Sequence, residues 1–316
     1  MRNDKLVTVF GGSGFVGRQV VSKLARQGYR IRVAVRRPDL AGHLQPLGGV
    51  GQIQMVQANL RNRTSIDAAV ADAWGIVNLV GILFQSGRQR FDAVHDFGAR
   101  AVASAAAEAG VSRLVHMSSI GADPESDSHY ARSKAAGEAG VKATFPEAVI
   151  LRPSVIYGPG DGLFNRIAGL ARISPVFPLI GADTRFQPAF VGDVAEATVR
   201  TLEKGNGIYE LGGPEIATMR EMVELALEVT GRTRILVPVP ASLARMQALF
   251  LQLLPNPLFT VDQVRMLDHD NVVSRQAIDS QRTFAGLGVS PTKMHVILPT
   301  YLERFRRTGQ FESVVR

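Results

Sequence analysis

The sequence predicts an α/β fold built on a doubly wound parallel sheet. Over the first 160 of its 316 residues, apolar runs of strand length alternate with amphipathic or alanine-rich stretches of helical length. A glycine-rich turn separates the first of these strands from the first helix. Strands that alternate with helices form βαβ units, in which the strands are parallel and the crossovers right-handed. These observations favour one sheet with helices on both faces.

Six apolar runs are predicted to be strands. In chain order they are KLVTVFGG, RIRVAVRR, IQMVQANL, GIVNLVGI, SRLVHMSSIGA and AVILRPSVIYG. The predicted helices lie between them and are residues 15–27, the stretch SIDAAVADA, residues 91–109 and SHYARSKAAGEAGV.

The pattern changes after YGPGDG, because prolines and glycines interrupt residues 174–192. We therefore expect residues 1–160 to form a dinucleotide-binding sheet domain of the Rossmann type. Residues 161–316 are expected to form a smaller carboxy-terminal α/β domain, from which some segments can return to the sheet. Two capping boxes are predicted to start helices there, Asp193 with Glu196 and Thr218 with Glu221.

Composition narrows the function classes. The formal charge of +8 suits an anionic neighbour such as a phosphorylated cofactor or an anionic lipid surface. The basic residues are scattered without a nucleic-acid motif, so a nucleic-acid partner is not expected. Without cysteine, disulfides, thiolate metal sites and cysteine nucleophiles are excluded, and no metal site is expected. The chain enters a strand directly and has no run of ~20 apolar residues, so we expect neither a signal peptide nor a membrane-spanning helix.

One apolar stretch, residues 235–261, has Arg245 as its only charged residue. Four prolines prevent one continuous helix there. Two interpretations stay open: a buried helix of the smaller domain, or an exposed surface for a partner or a membrane.

The turn VFGGSGFVG follows a strand and opens a helix, which is the context of a dinucleotide-binding turn. Gly14 lets the backbone approach a pyrophosphate, and Gly17 lets the helix pack against the strand. The alternative is a glycine turn with a structural role alone. The predicted cofactor contacts in this turn are Gly11, Ser13, Gly14, Phe15, Val16 and Gly17.

The end of the second strand predicts which dinucleotide binds. NAD sites place an acidic residue there to bind the ribose hydroxyls, whereas this chain has Arg36 and Arg37. Guanidinium groups bind a 2′-phosphate through charge-assisted hydrogen bonds. The pair therefore favours NADP(H), and the alternative is two exposed arginines on a basic protein.

The order of motifs resembles the short-chain dehydrogenase/reductase superfamily in its extended and atypical branches. The motifs are the glycine turn, SSIGA, a tyrosine four residues before a lysine in SHYARSK, and RPSVIYG. The resemblance covers residues 6 to about 200. It implies that Tyr130 exchanges a proton with a substrate oxygen, that Lys134 lowers the tyrosine pKa and binds the nicotinamide ribose, and that Ser119 orients a carbonyl. Ser118 is the alternative to Ser119.

The same resemblance implies further cofactor contacts. Asn59 and Leu60 would lie at the adenine, although the family usually has Asp where this chain has Asn59. Val80 and Gly81 would line the adenosine ribose. The residues expected beside the nicotinamide are Pro153, Ser154 and Val155. Asp193 is expected to cap a helix rather than to act on a substrate.

Several longer segments, among them YARSKAAGE, FPEAVILRPSVIYGPGDGLFNRIA and QPAFVGDVAEA, are similar to one branch of this superfamily. This branch contains the NADPH-binding accessory subunits of respiratory complex I, NADH:ubiquinone oxidoreductase, and their bacterial relatives. The resemblance implies a tightly held NADP(H) of structural role, with complex I subunits as partners where the peripheral arm meets the membrane. It implies a peripheral location, in a bacterium on the cytoplasmic side of the inner membrane.

Two hypotheses of different class follow. In the first, the chain is a complex I accessory subunit whose Ser119, Tyr130 and Lys134 are vestigial, and residues 235–261 contact a partner or an anionic membrane. In the second, it is a free-standing NADP-dependent oxidoreductase linked to quinone biosynthesis, in which these three residues are catalytic. A redox-sensing nucleotide binder is a third alternative.

Overall fold

The structure, a computed structural model, describes residues 4–252, 257, 259–307 and 309. The strands are β1 (Leu6–Phe10), β2 (Arg30–Val35), β3 (Ile53–Gln57), β4 (Gly75–Asn78), β5 (Arg113–Met117), β6 (Val149–Pro153), β7 (Ile156–Tyr157), β8 (Val176–Ile180), β9 (Arg185–Phe186), β10 (Ala189–Phe190), β11 (Ile208–Leu211), β12 (Ala217–Thr218) and β13 (Ile235–Val239).

The α-helices are α1 (Phe15–Arg26), α2 (Arg63–Val70), α3 (Phe97–Glu108), α4 (His129–Thr144), α5 (Phe164–Ile173), α6 (Val191–Lys204), α7 (Met219–Val229), α8 (Ala241–Leu251), α9 (Val261–Met266), α10 (Arg275–Asp279), α11 (Met294–Ile297) and α12 (Pro299–Leu302). Shorter 3-10 turns cover Pro38–Leu40, Gly42–Leu47, Ala285–Leu287 and Glu303–Phe305, and Asp92–Asp96 is a π-helical turn before α3.

Within the described residues, seven strands form one parallel sheet in the order β11-β6-β5-β4-β1-β2-β3. Its central strands are apolar on both faces because two groups of helices cover the sheet. One group is the pair α1 and α6, and in the other α3 lies between α2 and α4. The predicted doubly wound parallel sheet is thereby confirmed. The strand order reverses between β1 and β4, and ligands of such sheets bind at the carboxyl ends of the strands at this point.

The chain forms two compact units. The first contains the chain up to Pro153 together with Val191–Leu211 and Ser274–Ser290, so β11 completes the sheet beside β6. The second contains Ser154–Phe190, Gly212–Val273 and the chain from Pro291. Its short strands pair as β7 with β10, β9 with β12 and β8 with β13, around a core that includes Phe164, Met222 and Leu298. The division into two domains at residue 160 stays a prediction.

The two predicted capping boxes have different outcomes. Thr218 accepts the backbone N–H of Glu221 and the Glu221 carboxylate accepts that of Thr218, so the second box is confirmed. The first is wrong, because α6 already begins at Val191 and Asp193 lies inside its first turn. Glu196 instead accepts from Lys23 at 2.9 Å and from Arg200 at 2.7 Å.

The apolar stretch 235–261 forms β13 and α8, and its residues 253–256 and 258 lie outside the described residues. Only Ala244 and Ala248 of α8 are buried, so the interpretation as a buried helix is wrong for this part. The opposite side of α8 is an apolar stripe formed by Leu243, Met246, Leu249 and Phe250, each exposed. No described helix combines the length and the hydropathy that a membrane crossing requires.

Candidate functional site

The turn between β1 and α1 requires its glycines. Gly11 has a φ of +76°, and a Cβ there would come within 3.3 Å of the Leu79 carbonyl carbon and the Val80 side chain. A Cβ on Gly17 would lie 2.3 Å from the carbonyl oxygen of Gly11. Gly14 donates its N–H to that same oxygen at 3.0 Å. The turn is therefore held against the loop after β4, with no room for a side chain at Gly11 or Gly17.

The amino terminus of α1 is suited to an anion. In the part of the chain described, no side chain caps this helix at Gly14 and no acidic residue lies in its first turn. The first backbone N–H groups of a helix have no partner within the helix, and its dipole favours negative charge there. Ser13 lies half-buried in the turn, and Phe15 and Val16 are half-buried in the first turn of α1.

The two arginines after β2 have different surroundings. Arg37 donates to both carboxylate oxygens of Asp39, with the shortest distance 2.6 Å, and this pairing lowers the pKa of Asp39. Arg36 is exposed and makes no hydrogen bond or ion pair with any described residue. Of the two, Arg36 is thus the guanidinium that needs no rearrangement to bind a phosphate.

The predicted adenine contacts lie in the loop after β3. The Asn59 side chain accepts the backbone N–H of Arg61 at 3.1 Å and so shapes the turn, while Leu60 is buried against Gly98. In the loop after β4, the N–H of Val80 donates to the side-chain oxygen of Asn78 at 3.2 Å.

Lys134 brings the loop after β4 to helix α4. Its side chain is buried and its ammonium donates to the Met117 carbonyl at 3.1 Å. A Cβ on Gly81 would lie 3.4 Å from the ammonium nitrogen. Burial lowers the pKa of Lys134 to about 8, against the opposing effect of the Glu138 carboxylate.

Tyr130 lies one turn before Lys134 on α4, where the Ser128 side chain caps the helix by accepting the backbone N–H of Ala131. Burial raises the pKa of the Tyr130 phenol. The nearby Ser119 hydroxyl favours the ionised form, although its geometry is not that of a hydrogen bond. The Ser119 hydroxyl is therefore not bonded to the phenol in the described structure.

Ser118 and Ser119, at the carboxyl end of β5, both have buried hydroxyl oxygens without a hydrogen-bond partner in the described structure. An unsatisfied buried hydroxyl is costly, and native proteins usually satisfy such groups with water or a ligand. Both hydroxyls, of which that of Ser119 lies near Tyr130, are therefore available to a polar ligand.

The residues predicted beside the nicotinamide are divided. The Pro153 carbonyl, at the end of β6, accepts the N–H of Ile120 at 3.0 Å in the first unit. Ser154 and Val155 make their hydrogen bonds within the second unit. The Ser154 hydroxyl contacts both oxygens of Asn271 and accepts the N–H of Gln187, and the Val155 carbonyl accepts the N–H of Ala189. The Ser154 side chain is therefore already occupied.

Two buried histidines near Lys134 were missed by the sequence analysis. His95 accepts the backbone N–H of Ile82 through Nε2, at 3.0 Å, and His116 lies 3.2 Å from the Asn78 amide through Nδ1. Burial, then the charge of Lys134, lowers the pKa of His95 to about 2 and that of His116 to about 3. The sequence signal that could have identified them is a histidine within an apolar strand, for His116, or within a helical segment, for His95.

The residues present fit a nicotinamide dinucleotide. The glycine turn leaves a cradle that side chains would fill, and the start of α1 offers N–H groups to a diphosphate. The unsatisfied serine hydroxyls and the Lys134 ammonium offer donors at the carboxyl ends of the strands.

Comparisons with known proteins agree with this fold. A model of the "NAD dependent epimerase/dehydratase family" matches residues 7–212. The chain is 31% identical, over 309 residues, to the mitochondrial NADH-ubiquinone oxidoreductase 40 kDa subunit of Neurospora crassa, covering 96% of this chain and 80% of that protein. It is 37% identical over 198 residues to the ceramide reductase of Caulobacter vibrioides, covering 61% of this chain and 60% of that one.

The solved structure of DesIV, a dTDP-glucose 4,6-dehydratase from Streptomyces venezuelae with NAD and TYD bound, is similar with a TM-score of 0.72. It is 19% identical and the match covers 95% of this chain and 96% of that one, which shows the fold alone. The resemblance to extended short-chain dehydrogenases is confirmed by these matches. The chain belongs to the NAD dependent epimerase/dehydratase family.

Proposed function

We propose that this chain is an NADP(H)-binding accessory subunit of respiratory complex I, in which the nucleotide has a mainly structural role. The observation that carries the proposal is the extent of similarity to the 40 kDa subunit of the Neurospora crassa oxidoreductase. That similarity covers 96% of this chain, whereas the family match ends at residue 212. It therefore also covers most of residues 213–316, which the family match does not reach.

The preference for NADP(H) rests on Arg36 and on the ion pair that Asp39, the carboxylate of the same segment, forms with Arg37. The position after β2 that holds an acidic residue in NAD sites holds Arg36 here, and Asp39 is neutralised by Arg37. A ligand that binds the folded chain alone stabilises it by about 2.7 kcal/mol at a concentration of one hundred times Kd. A tightly held NADP(H) would thus act as part of the folded first unit.

The proposed seat is peripheral, where complex I subunits meet the membrane, on the cytoplasmic side of a bacterial inner membrane. The exposed apolar stripe of α8 supports a contact with a partner or with lipid. A group of arginines in the same unit supports a contact with an anionic surface. Burial, and then the charges of Arg234, Arg307 and Arg172, lower the pKa of Arg232. Each arginine near an anionic leaflet contributes about 1 kcal/mol.

The test is purification of the tagged, full-length chain from its own membranes in a mild detergent. We expect complex I subunits to accompany it and NADPH to be released on heating in equal amount to the chain. A chain that leaves the membranes alone, or that releases no NADP(H), would contradict the proposal.

The second candidate is a free-standing NADP-dependent oxidoreductase, and the Ser119, Tyr130 and Lys134 arrangement favours it. The bound nucleotide would supply or accept a hydride. Tyr130 would give its phenolic proton to the substrate oxygen, Ser119 would hold that oxygen, and the Lys134 ammonium would favour the phenolate that remains. A quinone precursor is the substrate class that we propose for this alternative.

A matched pair of variants distinguishes the two candidates. Tyr130→Phe removes the phenolic proton but keeps the ring packing, so an enzyme would lose NADPH oxidation with carbonyl or quinone substrates. An accessory subunit with the same substitution would keep both its nucleotide and its companion subunits. If the unmodified chain stays with its companion subunits whether or not a substrate is added, and oxidises no NADPH, the enzyme hypothesis is excluded.

A further inference from the structure

His95 joins two parts of the candidate site that are separate along the chain. Its ring lies in the π-helical turn Asp92–Asp96 and is 1% exposed. On one side, Nε2 accepts the N–H of Ile82 in the loop after β4, at 3.0 Å. On the other side, Nδ1 lies 2.9 Å from the hydroxyl of Ser133 in α4. The loop and the helix are thus connected through one imidazole.

The hydrogen-bond directions fix the form of this ring. A backbone N–H can only donate, so Nε2 must be unprotonated and Nδ1 must carry the proton. The Nδ1–H therefore donates to Ser133, whose own hydroxyl donates to the Tyr130 carbonyl at 2.8 Å. His95 is neutral, because protonation of Nε2 would remove the acceptor of the Ile82 N–H.

The packing around His95 leaves little slack. A Cβ on Gly81 would lie 3.6 Å from Nε2, and one on Gly137 would lie 2.0 Å from the His95 carbonyl oxygen. The ring stacks on Phe91 with 5.4 Å between centroids and stands edge-on to Tyr130 at 5.3 Å. A small displacement of His95 would therefore move the loop against Lys134.

The two connections are not equally important for a ligand. Helix α4 is also held by its Ser128 cap, by the bond from Lys134 to Met117 and by the bidentate pair of Glu138 with Arg152. The N–H of Ile82, by contrast, has Nε2 of His95 as its acceptor and would be left unsatisfied without it. The loop is the part whose position depends on His95.

We propose that His95 is a positioning residue, which holds the loop of residues 79–82 at a fixed distance from Tyr130 and Lys134 before the nucleotide binds. The proposal rests on the proposed function, since it requires a nucleotide at Gly81 and Lys134. It assigns the side chain of His95 no contact with substrate and no proton transfer.

Two substitutions separate the connections. In His95→Gln the side-chain oxygen reaches the place of Nε2, so the bond from Ile82 is kept and the one to Ser133 is lost. In His95→Asn the amide reaches the place of Nδ1, so the bond to Ser133 is kept and the one from Ile82 is lost. We expect His95→Gln to bind NADPH within about twofold of the unmodified chain, and His95→Asn to bind it about tenfold more weakly, as an unsatisfied buried N–H implies.

Ser133→Ala is the matched control. It removes the connection of His95 to the helix, together with the hydroxyl bond to the Tyr130 carbonyl, and leaves the bond from Ile82 in place, so its NADPH affinity should match that of His95→Gln. A purely structural role would lower the thermal midpoint of both His95 variants and leave their NADPH affinities equal, and that result would overturn the proposal. If the unmodified chain does not bind NADPH, the proposed function is wrong. The role of His95 is then tested by the amide exchange of Ile82 in the nucleotide-free chain.

A second measurement needs no variant. Amide exchange of Ile82 in the nucleotide-free, unmodified chain should already be slow, because its N–H is bonded to His95 before NADPH is added. Rapid exchange that slows only with NADPH would show that the loop is ordered by the nucleotide instead, and would overturn the proposal. This readout also decides the matter if His95→Asn does not fold.

Discussion

The Lys134 ammonium lies 5.8 Å from the centre of the Tyr130 ring, and both side chains are buried on the same face of α4. Burial moves their pKa values in opposite directions, upward for the phenol and downward to about 8 for the ammonium. The free-energy cost of burying these two side chains on folding therefore depends on pH.

The first prediction concerns this dependence. The pKa of Lys134 falls from 10.5 to about 8 on folding, so between these values the unfolded chain binds more protons than the folded one. Stability from this group therefore rises as pH increases through that window, and below about pH 8 the folded chain carries its full penalty. Urea denaturation of the nucleotide-free chain at several pH values should show the rise, and Lys134→Met should reduce it. An equal rise in both proteins would contradict the assignment to Lys134.

The second prediction separates the two arginines. Arg36→Ala should weaken NADPH binding by about tenfold or more and leave NADH binding nearly unchanged, as the loss of a charge-assisted bond implies. Asp39→Asn should strengthen NADPH binding, because it removes a carboxylate and releases Arg37. Titrations with both nucleotides check this, with Arg30→Ala at the opposite end of β2 as the control. Equal losses for NADPH and NADH in Arg36→Ala would exclude a contact with the 2′-phosphate.

The third prediction tests the glycine turn. Gly17→Ala should abolish measurable NADPH binding and lower the thermal midpoint, because the new methyl group would lie 2.3 Å from the Gly11 carbonyl oxygen. Gly42→Ala adds a methyl group that meets no atom within 4 Å beyond its own turn and chain neighbours, so it should change neither property. Calorimetry and nucleotide titration measure both effects. Binding that survives in Gly17→Ala would show that the nucleotide does not use this turn.

The fourth prediction concerns the apolar stripe of α8. Replacing Leu249 and Phe250 together by serine should reduce recovery of the chain with solubilised complex I, since Phe250 is 72% exposed in the isolated chain. The substitutions remove apolar surface that only a partner or lipid would bury, so the thermal midpoint should change little. Leu40→Ser, at another exposed apolar position, is the control. Unchanged recovery of the double variant would show that the stripe is not part of the contact.

The sheet could be predicted because its signals are local. Each of β1 to β6 is an apolar run of ordinary strand length, and their alternation with helices carries the parallel order. β11 could not be predicted, because IYEL is short and lies in a region rich in glycine and proline. The capping box of Asp193 failed for a related reason: the preceding residues already form the helix, and sequence spacing does not show where a helix begins.

The candidate site divides in the same way. A spacing of four residues on a helix places Tyr130 and Lys134 on one face, so their proximity follows from the sequence. His95 and His116 have no such spacing, and their positions depend on how α3, α4 and β5 come together. The pairing of Arg37 with Asp39 could not be predicted either, because the motif at the end of β2 does not distinguish Arg36 from Arg37.

The position of β11 has a consequence for fragments and for synthesis. Its residues Ile208–Leu211 cover the outer edge of β6, which would otherwise present unpaired backbone groups to solvent. A fragment that stops at residue 160 would retain every glycine of the nucleotide turn and yet expose β6 as an unpaired edge strand, which can pair with another chain. On the ribosome, this edge of β6 stays unpaired until residues 208–211 have emerged, so the nascent chain is open to self-association during that interval.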